Sequence, residues 1–296
     1  MKKIKIVLSI LIFLLMFSIG TTTVSADMGP KPASYITIKG IEGEYVACLA
    51  AKEVWGPNYD YEHWIEYEID YVKYNPIMEY KDEEGFKWIT DYYKCSGESK
   101  ISFTYYCPDE YKIVIYQNDE FLIATEALEM YAYSTYYEID FSTGTVKAPQ
   151  DIKVTKTYDY FSEILNLIVR IILTLVIELG LFFLFKLYSK QNFKVVLITN
   201  LVTQIFLNVA INISLYNSGY MSALFLLFAL EFVVLIIEFI AYQILLKEKK
   251  RWVIILYPII ANVLSFGLGL FIFRFIFKWN IISLFVKLYE ECEIYD

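Results

Sequence analysis

Three glutamates, Glu178, Glu231 and Glu238, lie inside otherwise apolar stretches of this 296-residue sequence, and theirs is the setting in which side chains could do chemistry. A carboxyl at bilayer depth is costly, and an ionisable residue there marks an ion or proton path by default. Amides accompany them at helical spacing. Asn200, Gln204, Asn208 and Asn212 recur every four residues as one drifting stripe, and Arg170, Thr174 and Glu178 do the same upstream. Glu231 and Glu238 stand seven apart on one face, while Pro258, Asn262, Ser265 and Gly269 share another. Ser265 and Gly269 form a small-xxx-small pair suited to close helix packing. The candidate intramembrane polar site is therefore Glu178, Asn200, Gln204, Asn208, Glu231, Glu238 and Asn262. Two readings compete for it. As glue, such groups bond between helices for about 0.6–2 kcal/mol each; as a path, the glutamates bind protons or cations. No His-Glu-x-x-His or Gly-x-Ser-x-Gly signature stands on these stretches, so no catalytic residue is assigned and an enzyme is not expected. No cofactor-binding residue or metal-ligand set is assigned either.

These residues need helices to position them. Four apolar segments, 161–185, 195–215, 221–246 and 252–273, each approach the ~20 residues that cross a ~30 Å hydrocarbon core. Lys186, Lys190 and Lys194 fill the first connection, and Lys247, Lys249, Lys250 and Arg251 the third; the connection 216–220 carries no charge. Positive-inside asymmetry places the two Lys-rich loops in the cytoplasm. The order glutamate, Lys-rich loop, asparagine occurs twice, through Glu178 and Asn200 and again through Glu238 and Asn262. It predicts a duplicated hairpin in which each glutamate touches its asparagine across the loop.

The N-terminus reads as a signal peptide over 1–26, with Lys2, Lys3 and Lys5 before an apolar core and a small-x-small site at Val24-Ser25-Ala26. Residues 27–155 form the exported domain. Between Asp27 and Tyr158 the chain carries 24 Asp and Glu against 12 Lys, a balance that repels nucleic acid and anionic headgroups and excludes both as its partners. Period-two alternation predicts short strands at 34–39, 64–72, 86–93, 101–106, 111–116, 120–125 and 132–141, with a short helical stretch at 126–130. Aromatic and β-branched residues at this spacing predict an antiparallel, immunoglobulin-like sandwich. His63 is the one histidine, and among its acidic neighbours it reads as a surface residue. Asp82-Glu83-Glu84 offers carboxylates to a hard cation, yet the spaced aspartates and glycine of a calcium loop are missing and an acidic turn explains it as well. Cys48, Cys95, Cys107 and Cys292 all fall on the exported side, where Cys95 and Cys107 are placed for a disulfide across a hairpin.

The segments Ala26-Asp-Met-Gly-Pro-Lys-Pro32 and Gly85-Phe-Lys-Trp88, the run Lys94-Cys-Ser-Gly97 and the glutamate/asparagine hairpins resemble a group of uncharacterised membrane proteins of low-GC Gram-positive bacteria. Ala33 and Cys107 stand where that group is expected to carry serine and proline. The resemblance implies an exported β-domain with a four-helix membrane region and carries no activity with it.

The expected fold class is mixed: an exported all-β domain, then an α-helical four-span bundle over 156–274, then an amphipathic tail at 275–296 outside the cell. The expected protein is a multi-pass cell-membrane protein with its β-domain and C-terminus outside. Its partners are membrane lipid and an extracellular ligand or another membrane protein. The leading expectation is a binding or sensing module; the alternative is a small transporter or ion pathway built on the buried carboxylates.

Overall fold

Strand β1, Ala33–Lys39, buries every second residue, and the same alternation runs through β4 (Ser99–Phe103) and β8 (Ser134–Asp140). Half-buried strands of this kind must share one apolar face with a second sheet. The computed structural model describes residues 31–52, 77, 79–104, 107–142, 152–247 and 250–268, divided into a β-unit up to Tyr158 and a helical unit from Asp159. The β-unit has two sheets. One runs β4-β1-β8-β9, with β9 at Lys153–Lys156; the other runs β3-β2-β5-β6. Here β2 is Glu44–Ala51, β3 Lys87–Ser96, β5 Glu110–Gln117 and β6 Glu120–Ala124, and the two-residue β7, Leu128–Glu129, also pairs with β5.

Ile36, Ile38, Phe103 and Ile139 from the first sheet meet Tyr45, Leu49, Ile113 and Ile115 from the second in one core. The Ser34 and Tyr111 hydroxyls bond to each other within it. The opposite face of the second sheet is covered as well, because Val46, Cys48, Ala50, Val114 and Tyr116 pack with Ile77 and Phe86. Strand β2 is thus buried on both faces. Its run Glu-Tyr-Val-Ala-Cys-Leu-Ala-Ala shows no alternation, which is why the pattern reading missed it.

Three expectations need correction. The sheets are not wholly antiparallel, since β1 and β8 pair in parallel from Ala33↔Ser134 to Lys39↔Asp140. Alternation specifies which face turns inward and says nothing of a neighbour's direction. The stretch 126–130 is not helical: Leu128 pairs with Tyr111 as β7 and fills the core. No disulfide joins Cys95 and Cys107. Cys95 sits in the core with its Sγ donating to the Tyr93 carbonyl, whereas the Cys107 thiol meets Met130 Sδ. Burial pushes the Cys107 thiol up to about 12, so it stays protonated and inert. The signal peptide at 1–26, the strand at 64–72 with His63, the end of the last span and the tail at 275–296 with Cys292 lie outside the described residues.

In the helical unit, α1 is Tyr160–Leu184, α2 Lys190–Leu245 and α3 Arg251–Leu268; all three are long and apolar enough to cross a membrane. Asp159 caps α1 by accepting from the Ser162 N–H at 3.0 Å, and Ser189 caps α2 through the Asn192 N–H at 3.0 Å. The burial pattern is inverted relative to a water-soluble helix bundle. Glu178, Asn200, Gln204, Asn208, Glu238 and Asn262 are buried, while Phe161, Phe225, Phe232 and Val263 are exposed.

Among the described residues the expected four separate helices are three, because no loop separates the second and third spans. Helix α2 has 56 residues and one non-helical position, Gly219, at φ +76° and ψ −178°. A straight helix of that length would place Asn192 and Lys247 roughly 80 Å apart at 1.5 Å per residue. Instead the Lys247 backbone N–H donates to Asn192 Oδ1 at 2.9 Å. Thr203 and Glu238 bond across the same gap, so the helix folds back on itself into two arms about Gly219.

This conformation belongs to the region that only glycine enters cheaply. Gly219→Ala is expected to destabilise the helical unit by about 1–3 kcal/mol. Gly180→Ala on α1, where an added methyl meets nothing within 4 Å, leaves it unchanged or slightly more stable. Unfolding of the full chain in detergent micelles, followed by helical circular dichroism, measures both; equal effects would refute the reversal at Gly219.

Candidate functional site: a buried carboxyl pair

Helix α1 and the two arms of α2 each turn a polar stripe inward, and α3 adds a fourth. Glu238, on the second arm, is fully buried, and its two oxygens have different donors. Thr203 Oγ1 from the first arm donates to Oε1 at 2.7 Å, and Asn262 Nδ2 from α3 donates to Oε2 at 2.7 Å. One carboxyl therefore joins three helical segments. Asn262 also donates to the Pro258 carbonyl at 2.9 Å, and Ser265 Oγ donates to the Asn262 carbonyl at 3.2 Å. These intrahelical bonds hold the amide in place.

Glu178, on α1, is as deeply buried and is not answered in this way. Neither of its carboxyl oxygens has a hydrogen-bond partner among the described residues. Ser265 stands beside it, and both Glu238 and Glu231 are within electrostatic reach. What ties this turn of α1 to α3 is its backbone: the Tyr257 hydroxyl donates to the Glu178 carbonyl at 3.1 Å. Among the described residues no hydrogen bond joins Glu178 to Asn200. Asn200 Oδ1 instead accepts from the Tyr242 hydroxyl, leaving Asn200 Nδ2 unpartnered. The two halves of the apparent repeat thus differ, one glutamate being doubly bonded and the other bare.

The amide stripe bonds largely to itself. Asn208 Nδ2 donates to the Gln204 carbonyl at 2.9 Å and Asn212 Nδ2 to the Asn208 carbonyl at 3.1 Å, while Asn212 Oδ1 accepts from Arg170 Nη2 at 3.2 Å. Glu231 is half-buried and lines a cavity of about 30 Å³ with Arg170, Thr174, Gln204, Asn208 and Ser265. Thr203, Tyr242 and Tyr257 were missed from sequence. Thr203 follows Asn200 by three and Tyr242 follows Glu238 by four, which is the spacing of a shared helix face. Tyr257 had no signal among 27 tyrosines.

In the β-unit the acidic turn does not await a cation. The Lys112 Nζ lies 2.8 Å from Asp82 Oδ2 and 3.1 Å from Glu84 Oε2, so an ammonium already occupies the carboxylates. Lys112 also lies 4.5 Å from the centre of the Phe86 ring, as does Lys52. A cleft of about 400 Å³ opens beside this cluster, lined by Tyr80, Glu83, Thr125 and Glu126 among others. No group of three or more His, Cys, Asp or Glu suited to a metal occurs among the described residues. No known protein family, curated protein or solved structure matches the chain.

The ion cluster makes the β-unit's stability depend on pH in a defined direction. Burial of Asp82 opposes its ionisation, but the bonds from Lys112 and the Phe86 N–H outweigh it and hold the carboxyl below 3.8. Burial likewise opposes the Lys112 charge, and the bonds to Asp82 and Glu84 outweigh it, holding the ammonium above 10.5. The Asp82 contribution is complete above the unfolded carboxylate range and is lost as pH falls through the folded value. The Lys112 contribution is complete below 10.5 and is lost as pH rises through its folded value. Protection of the β5 amides of the full chain, taken relative to their intrinsic exchange at each pH, is therefore expected to be greatest between those limits. Lys112→Met removes the alkaline limb, and an unchanged profile in that variant would contradict the assignment.

Proposed function

We propose that the chain is an integral membrane protein whose helical unit binds and exchanges a proton on the Glu178 and Glu238 carboxyls, as part of a small transporter or ion pathway. The observation that carries this reading is the fully buried Glu178 carboxyl, unpartnered among the described residues and within electrostatic reach of a second buried glutamate that has two donors. An isolated carboxylate in so dry a place costs several kcal/mol, whereas the neutral acid costs far less. A pair with unequal donors can hold one proton and one charge, and the exchange of that proton is its available chemistry.

Membrane integration is supported by the inverted burial, polar residues inside and large apolar residues outside. With α2 folded at Gly219, the three helices supply four crossings of the bilayer. The lysine-rich connections then lie on the cytoplasmic side and the β-unit outside, in the order expected after a cleaved signal peptide. Its two packed sheets are read as an immunoglobulin-like sandwich that departs from the usual form in the parallel β1–β8 pair. The sequence resemblance to membrane proteins of low-GC Gram-positive bacteria agrees with this address. The cleft beside Lys112 favours a second role, in which the β-unit binds an extracellular ligand and the helices anchor it.

Proton flux decides between them. In liposomes holding the full chain and an internal pH dye, an imposed potassium diffusion potential should drive proton entry. Glu178→Gln and Glu238→Gln should each abolish it while the protein still incorporates and remains monodisperse in detergent. Wild-type flux in both variants would return the carboxyls to structural glue and leave the β-unit as the functional part.

A further inference from the structure

The geometry points to Glu231 as the residue that loads Glu178, through water in the cavity that Glu231 lines and then through the Ser265 hydroxyl. This deepens the proton-exchange reading and rests on it. The cavity of about 30 Å³ has six polar neighbours, Arg170, Thr174, Gln204, Asn208, Glu231 and Ser265. A water needs about 10–15 Å³ of such space and two to four polar partners, so one or two fit. Two donors at the cavity have nothing to donate to. Gln204 is 2% exposed with its Nε2 unpartnered, and the buried Nε of Arg170 is unpartnered too.

The charges around the cavity select its occupant. Arg170 and Glu231 both line it, yet no ion pair joins them among the described residues. A cation there would face the guanidinium and an anion would face the carboxyl. Neutral water satisfies both, since it accepts from Arg170 or Gln204 on one lone pair and, on the other, from the Glu231 acid while its own protons face Ser265. Ser265 then completes the link, since it lines the cavity and also stands beside Glu178; its hydroxyl donates to the Asn262 carbonyl as described and turns about Cα–Cβ to reach the Glu178 oxygen. The titratable groups facing the route are Arg170 and Glu178 from α1 (with Glu163 within reach of Arg170), Glu231, Glu238 and Tyr242 from α2, and Tyr257 from α3.

The transfer balances without any other reactant. The carboxyl O–H bond of Glu231 breaks and water takes the proton on a lone pair. Water gives one of its own protons to Ser265 Oγ, which passes its hydroxyl proton to a Glu178 oxygen, where the new O–H bond forms. Water and serine end as they began, nothing is oxidised or reduced, and one negative charge has moved from Glu178 to Glu231.

Time-resolved infrared spectroscopy of the full chain in liposomes after a pH jump tests the route. The protonated-carboxyl band lost in Glu178→Gln reports the arrival of the proton. Glu231→Gln and Ser265→Ala should each slow its appearance by about a hundredfold, and Glu231→Asp should restore most of the rate. If Glu231→Gln does not incorporate, Ser265→Ala carries the test, since it removes only a hydroxyl. A wild-type rate in the blocked variants would overturn the route and leave the Glu178 site standing. If no band assignable to Glu178 responds to pH in the wild type, the route and the proton-exchange reading both fall.

Discussion

The Glu238 carboxyl accepts one hydrogen bond from the first arm of α2 and one from α3 while belonging to the second arm. Inside a bilayer the hydrophobic effect does not draw helices together, because lipid tails are as apolar as leucine. Association must come from close packing and polar contacts, and this carboxyl is where three segments meet. Tyr257 adds the fourth by donating to the Glu178 carbonyl, and Asn192 holds the outer ends of the two arms together through the Lys247 N–H. The remaining polarity in the unit can be left less than fully satisfied because these contacts fix the frame around it. Glu178 is where that slack is concentrated.

The β-unit meets the same constraint differently. Lys112 lies on the covered face of the second sheet, and its ammonium is answered by carboxylates from the 82–86 turn and by the Phe86 ring. Asp82 in turn accepts from the Phe86 N–H, so the turn is folded around the lysine. In water such a cluster has hydration as an alternative on its open side. In the bilayer setting proposed above Glu178 has none, and on that reading a proton takes the place of a partner.

The sequence made some of this legible. Four-residue spacing put Asn200, Gln204, Asn208 and Asn262 on inward stripes, where the structure buries them. It could not separate Glu178 from Glu238, since both sit in equivalent hairpins and only Thr203 and Asn262 distinguish their surroundings. Strands with one wet face, such as β1 and β8, announced themselves; β2, dry on both sides, did not. The acidic turn left a cation site and a plain turn both open because its counterion, Lys112, is thirty residues away in sequence and reaches it only through the fold. The expected disulfide failed for a similar reason, as spacing along the chain does not say which way a thiol points.

Gly219 leaves a further mark on the molecule. Reversal at one residue keeps Asn217 inside a helical turn, where its Nδ2 donates to the Ile213 carbonyl at 2.9 Å. The reversal still leaves the last carbonyls of one arm and the first N–H groups of the other without intrahelical partners, so in a bilayer the bend is best served by the hydrated headgroup layer. On the membrane reading, nearby phenols such as Tyr160 and Tyr216, whose hydroxyls lie 3.4 Å apart, favour the same interface, where amphipathic rings of that kind collect. During biosynthesis the two arms of α2 would enter lipid as a single wedge, because neither can be left behind without exposing the amides that the other covers.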